Sequence, residues 1–280
     1  FPIDITPAAA GLYFKHSPGT VLPRLEDNPT AWENFIVEHN IGVIFPTSDL
    51  DLHILSQYRD EWWERLPCKV MVDSLDSVIV ANDKAGTFSE LHHAGVNTPE
   101  SYSRRAGLEA FAQFYQYPYI VKPRFGANSR GINIAHNDEE LKFYWNHTEN
   151  PIVQEYIEGD EYSGAITYDK HGQAQAFFVT RVYERRGHMT FGEVGDYPQI
   201  EAFLREFAEK TRHLGFSHAL NVQMIERDGI VYVIELNAVC SGSTAIRTAF
   251  GFNQPEQLIL HHCFGQEINQ PEIKHGLAFS

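Results

Sequence analysis

Val121-Lys122-Pro123-Arg124-Phe125-Gly126-Ala127-Asn128-Ser129-Arg130-Gly131 sets a lysine ahead of a glycine-bearing loop, between apolar runs that read as strands. In the loop of the common nucleoside triphosphatases the lysine follows the glycines and a helix begins there, so this stretch is a different device. A strand-loop-strand flap can fold over a phosphate chain. Backbone N–H groups from Gly126 to Gly131 then lie near phosphate oxygens, and Lys122 neutralises their charge. Standing alone, the same residues describe a surface hairpin with a solvated lysine.

Two further stretches accompany it. Val153-Gln154-Glu155-Tyr156-Ile157-Glu158-Gly159 begins as an apolar strand and ends at a glycine, the pattern of an extended segment turning between lobes. Its backbone can read the edge of a base, and Glu161 can accept hydrogen bonds from sugar hydroxyls, although acidic residues beside a turn are usually just solvated. From Ile230 an apolar strand runs to Glu235 and Asn237, which share a face because side chains alternate along a strand. A carboxylate beside an amide suits magnesium, which takes oxygen ligands together with substrate phosphates. Gln223 on the preceding strand joins that face only if the connection through Arg227-Asp228-Gly229 holds an odd number of residues. A two-residue Asp228-Gly229 turn counts against it. Without the other motifs, a Glu and an Asn at a strand end can simply cap a loop.

Composition narrows the classes. The 280 residues are 43% hydrophobic and 21% charged, ordinary globular content for one large domain or two or three lobes. A formal net charge of −15 without a basic run argues against a nucleic-acid partner, whose phosphates need clustered Lys and Arg. Cys68, Cys240 and Cys263 form no CxxC pair and read as reduced, buried thiols of a cytoplasmic protein. No apolar run approaches the roughly 18 residues of a membrane span, and no signal segment opens the chain. The adjacent pairs His92-His93 and His261-His262 cannot easily face one metal, and Ser241-Gly242-Ser243 lacks the signature of a nucleophile elbow. Phe1 to Ile5 looks like a strand entered midway, so upstream residues are expected.

Along the chain, a helix-like segment around Ala31 to Glu38 and apolar runs at Ile41 to Phe45 and Cys68 to Val72 suggest a parallel sheet. Asn82-Asp83 can cap a helix with Lys84 in its first turn, and Asn137 with Glu140 makes a capping box. The second half reads as antiparallel. Ser163 to Tyr168 and Ala174 to Val179 form a hairpin, a helix runs from Ile200 to Leu214, and strands follow at Ala219 to Ile225 and Ile230 to Asn237.

In this order the motifs make the chain, from about Phe45 to Gly265, resemble the ATP-grasp enzymes, and most closely the branch of the carbamoyl-phosphate synthetase large subunit and related carboxylate-amine ligases. The matching residues are Asn82-Asp83-Lys84, Lys122 with its loop, Gln154 to Glu161, Gln223, and Glu235-Leu236-Asn237-Ala238 with Ser241-Gly242-Ser243. The resemblance implies a mixed α/β and α+β fold. Its parts are an N-terminal parallel α/β lobe (1–80) lacking its first strand and helix, a small flap lobe (81–157), and a larger antiparallel lobe with the metal ligands (158–280). ATP lies between the last two.

The resemblance also assigns roles. Lys84 and Lys122 meet the ATP phosphates, with Gly126, Ser129 and Gly131 in the flap. Gln154 and the backbone of Glu155 to Ile157 meet adenine, and Glu161 holds the ribose. Gln223, Glu235 and Asn237 hold two magnesium ions, for which manganese can substitute. Where many relatives place an arginine this chain has Val239, so Arg247 or Arg181 is expected to supply the missing cation. The implied activity is ADP-forming ligation of a carboxylate to an amine, with Lys122, Glu235, Asn237, Arg247 and Arg181 as catalytic candidates and the irregular stretch Arg181 to Asp196 selecting the acid. The partners are small molecules, with no nucleic acid or membrane, and a homodimer is compatible. The rival is a non-catalytic ATP-binding regulatory or scaffold module of the same fold.

Overall fold

The computed structural model describes residues 1–15, 17–47, 49–104, 108, 111, 116–126 and 130–279. Helix α1 (Pro29–Glu38) starts where Asn28 accepts from the Ala31 N–H and a proline takes the first helical position. Strands β1 (Val43–Ile44) and β2 (Lys69–Val70) pair in parallel, with α2 (Asp49–Arg65) as the crossover. Trp32, Ile36, Leu55 and Trp62 close the core around them. Helix α3 (Leu75–Asn82), unforeseen from the sequence, is capped by Ser74, and α4 (Lys84–His93) begins one residue after it ends. Asp83 is the corner between them, and it sets Lys84 at a helix N-terminus.

A four-stranded antiparallel sheet follows, built from β3 (Ser101–Tyr102), β4 (Tyr119–Pro123), β5 (Asn133–Ala135) and β6 (Pro151–Glu155) in the order β3-β6-β4-β5. Alternation turns Tyr119, Val121 and Val153 toward α5 (Asp138–His147), where Leu141 and Trp145 cover them. Lys122 and Gln154 are thereby left on the opposite face. The capping box at α5 closes one residue early. Asn137 Oδ1 accepts the Glu140 N–H at 2.9 Å, and the Glu140 carboxylate reaches back to the His136 N–H at 2.8 Å.

The largest sheet is six-stranded and antiparallel, in the order β11-β10-β7-β8-β9-β12: β7 (Asp160–Tyr168), β8 (Ala174–Arg186), β9 (His188–Val194), β10 (Ala219–Arg227), β11 (Ile230–Asn237) and β12 (Gly276–Phe279). One face packs on α6 (Pro198–Lys210) through Tyr162, Ile166, Phe177, Leu204, Phe207 and Leu220. The other carries Ala165, Ala176 and Phe178 beneath Phe252, near α7 (Thr244–Ala249) and α8 (Gln254–Phe264). The stretch Arg181 to Asp196 was expected to be irregular, yet it is largely the end of β8 and all of β9, turning at Gly187. Its broken apolar pattern comes from two register shifts between Val182 and Arg185.

The β10–β11 hairpin corrects a second expectation. Asp228 and Gly229 both have positive φ, at 53° and 81°, and Arg227 pairs with Ile230. This is the two-residue turn that counted against Gln223. The ladder stays regular to Met224 and Val233. A bulge then absorbs Ile234, and beyond it Gln223 pairs with Glu235 and Asn221 with Asn237. One extra residue in the strand shifts the register as a third loop residue would have done. The shift is visible in the apolar spacing, because Val231 and Val233 and then Leu236 and Ala238 enter the same core.

Gly159 stands where the small sheet hands over to the large one. A Cβ there would lie 2.2 Å from the Glu226 carbonyl oxygen and 2.9 Å from Ile225 Cγ2. Gly159→Ala is therefore expected to destabilise the fold by about 1–3 kcal/mol, read as a lowered Tm; an unchanged Tm would mean that β10 yields freely. Among the described residues, no helix is long and apolar enough to cross a membrane.

Candidate active site

A cavity of about 660 Å³ opens where the three regions meet, and its lining includes Thr47, Gly126, Arg185, Gln223, Glu235 and Asn237. The bulged hairpin supplies its oxygen ligands. Gln223 and Glu235 lie directly opposite each other, and Asn221 and Asn237 do the same one alternation further on. Lys84 comes in from the first turn of α4, buried at 8% exposure. Its Nζ donates to the Gly126 carbonyl at 2.6 Å and stands 3.6 Å from Glu235 Oε1. The flap base is tied to the same helix: Arg124 grips the Asp83 carboxylate with Nε and Nη2, and its carbonyl accepts the Lys84 N–H at 3.2 Å. Burial alone would raise the Asp83 carboxyl, but Arg124 and the Gly86 and Ala85 N–H groups hold it below the usual range.

Lys122 is also buried, with Nζ donating to Gln154 Oε1 at 2.9 Å and lying 5.4 Å from the centre of the Phe88 ring. Burial pushes its ammonium down to about 8, Glu235 draws it back up, and Lys84 depresses it further. Lys84, Lys122 and Glu235 thus act on one another within one cleft.

Other sequence candidates have different placements. Gln154, expected at a base, is 1% exposed and bridges Lys122 to Ser101, whose Oγ accepts from Nε2 at 2.9 Å. The Glu155 N–H is already donated to the Glu100 carbonyl at 2.8 Å, while Ile157 is buried. Glu161, expected at a ribose, is gripped through Oε1 by both Nε and Nη2 of Arg185. Gly131 has φ 73° and packs on the Pro123 ring; Ser129 lies outside the described residues.

The two candidate arginines separate. Arg181 pairs across the ladder with Tyr162, on the α6 face, and its Nη2 donates to Asp160 at 2.5 Å. The alternation of β8 keeps it from the cavity, which corrects the expectation that it could replace the missing cation. Arg247 is 1% exposed and donates through Nη2 to Asn221 Oδ1 and, at 3.3 Å, to Ser163 Oγ, both residues of the cavity wall. Val239 also lines the cavity. Ser101, Ser163 and Asn221 were not singled out as site residues from the sequence, whereas Arg185, expected within the stretch Arg181 to Asp196 to help select the acid, lines the cavity. Asn221 was within reach, since it stands two positions from Gln223 as Asn237 does from Glu235.

Two lysines and a set of oxygen donors meet around one cleft, on a small and a large antiparallel sheet. The chain belongs to the ATP-grasp domain family, which residues 81–243 match. Over 181 residues it is 28% identical to the carbamoyl phosphate synthase large chain of Clostridium beijerinckii, an alignment covering 58% of this chain and 16% of that one. Over 145 residues it is 30% identical to the D-alanine–D-alanine ligase of Petrotoga mobilis, covering 45% of this chain and 47% of the ligase. The chain therefore spans less than half the length of either relative. Its fold is similar to the biotin carboxylase domain dimer of Hydrogenobacter thermophilus 2-oxoglutarate carboxylase, solved with MgADP, ADP and bicarbonate. The TM-score is 0.76 at 16% identity, over 94% of this chain and 64% of that one.

Proposed function

We propose that the chain carries the ATP site of a magnesium-dependent ligase that activates a carboxylate as an acyl phosphate and joins it to an amine, with release of ADP and phosphate. The observation that carries this is the meeting of Lys84 from the first half with Glu235 from the second, 3.6 Å apart at a cavity also lined by Gly126, Gln223 and Asn237. Family membership and the ligase among the relatives support it. The regions 1–80, 81–157 and 158–280 serve as the N-terminal, flap and metal-bearing lobes.

Gln223, Glu235 and Asn237 fit a hard cation, since all three offer oxygen from one face. One carboxylate and two amides would hold such an ion together with oxygens of the substrate phosphates. A magnesium ion held by these residues would supply neutralisation of phosphate charge. Lys84 and Lys122 hold the phosphate chain, and the flap from Gly126 to Gly131 excludes water. A carboxylate oxygen of the acid attacks the γ-phosphorus and ADP leaves with the bridging oxygen; the amine then attacks the acyl carbon and expels phosphate. Arg247, held against Asn221 and Ser163 of the cavity wall, is the cation that answers for Val239.

The test is ADP release across a panel of bicarbonate, amino acids and amines. Release that depends on at least one acid supports ligation. Nucleotide binding without acid-dependent release on any of them refutes it in favour of a non-catalytic binding module, a reading that Val239 in the cavity wall favours.

A further inference from the structure

Arg247 is among the largest fully buried side chains of the molecule. Its Nε and Nη1 have no hydrogen-bond partner among the described residues, and Nη2 is shared between two neutral oxygens, those of Asn221 and Ser163. Among the described residues no carboxylate answers the charge: burial lowers its pKa to about 10, opposed by the Cys240 thiol. A guanidinium enclosed without a counter-charge is an unfavourable arrangement unless something else completes it.

Its two neutral partners lie on the cavity side. Ser163 and Asn221 both line the cavity, and the Ser163 hydroxyl donates to Asn221 Oδ1 at 3.0 Å. Asn221 Oδ1 thus accepts from Arg247 and Ser163 together, which fixes the amide and leaves Nδ2 as its donor end. Asn221 faces Asn237 across the ladder, one alternation from Glu235, so this donor lies beside the oxygen ligands.

We propose that Arg247, Ser163 and Asn221 form an oxyanion subsite, in which the Asn221 Nδ2 donates to an oxygen of an anionic substrate and the guanidinium behind it supplies the counter-charge. The identity of the occupant rests on the ligase function proposed above: it is the carboxylate of the acid or the phosphoryl group transferred to it. Asn221 is then a substrate-binding residue and Arg247 a positioning residue that acts through it. A cation placed behind a neutral amide strengthens that amide as a donor while keeping water from the guanidinium.

Thermal unfolding in anion titrations tests the subsite, with acetate as the carboxylate probe and inorganic phosphate as the phosphoryl probe, each with and without MgADP. Wild-type protein is expected to gain Tm with one or both anions. Asn221→Asp places a carboxylate against Arg247 without changing shape; it should raise Tm in anion-free buffer and weaken the anion response about tenfold or more. Arg247→Met removes the charge and should weaken the response equally. General salt stabilisation is common to all three proteins and cancels in the comparison. A larger response to acetate than to phosphate assigns the subsite to the acid, and the reverse assigns it to the transferred group. An anion response in both variants equal to that of wild type overturns the subsite, as does an Asn221→Asp protein less stable than wild type in anion-free buffer. Loss of MgADP binding in the wild type would count against the ligase function alone, because the nucleotide-free titrations still decide the subsite.

Discussion

Replacing Glu235 with alanine is expected to cut acid-dependent ADP release by roughly 10²–10³-fold, with a much smaller loss of nucleotide affinity. Glu235 is the only carboxylate among the three oxygen donors on the bulged face, and it lies opposite Gln223. Its removal takes away a fixed negative charge that can hold a divalent ion against the phosphates. Lys84 loses its 3.6 Å partner but keeps the Gly126 carbonyl at 2.6 Å, so the cation stays in place for the phosphate chain. Steady-state turnover and equilibrium nucleotide binding on the same preparation separate the two effects. Unchanged turnover would reduce Glu235 to a cap on its own loop.

The second large effect is expected from Lys122→Met, which should weaken nucleotide binding by about tenfold or more. Loss of the donor to Gln154 leaves a buried amide oxygen unpaired, at a cost of about 1–3 kcal/mol, so absolute stability is a mixed readout. The pH dependence is cleaner. Burial holds the Lys122 pKa near 8, below its ordinary 10.5. Between those values the unfolded chain binds more protons than the folded one, so this lysine makes wild-type stability rise with pH through that window. Below pH 8 its burden is present in full. The variant should lack that rise, which unfolding at pH 7, 9 and 10 would measure. Phosphate binding should also re-protonate Lys122, taking up about half a proton near pH 8 in wild type and none in the variant. Calorimetry in buffers of different ionisation enthalpy reads this directly. Equal proton uptake in both proteins would remove Lys122 from the phosphate site.

What the sequence made legible was what depends on neighbours in the chain. Glu235 and Asn237 share a face because alternation is local, and Lys84 begins a helix directly after the extended corner at Asp83. What it hid depends on register or on distant partners. Gln223 reached Glu235 through a bulge at Ile234 and not through the turn, and only the phase change from Val231 and Val233 to Leu236 and Ala238 announced it. Arg181 was assigned to the site although Phe177 and Val179, at the same parity, pack toward α6. Gln154 is polar in an apolar strand, which signalled a role, but its hydrogen bonds to Lys122 and to Ser101, 53 positions away, follow from no local pattern. Glu161 met Arg185 for the same reason: the antiparallel pairing of β7 and β8 brings together residues that no local pattern links.

The contact between Lys84 and Glu235 sets the terms on which anything enters the cleft. A bare polyphosphate satisfies the ammonium but strands the carboxylate beside further negative charge, and a bare divalent ion does the opposite. Only a visitor that brings anion and cation already joined exchanges one neutral pairing for two. Under the function proposed above, this pairing would keep the resting charges quiet and discriminate against a nucleotide that arrives without its divalent ion.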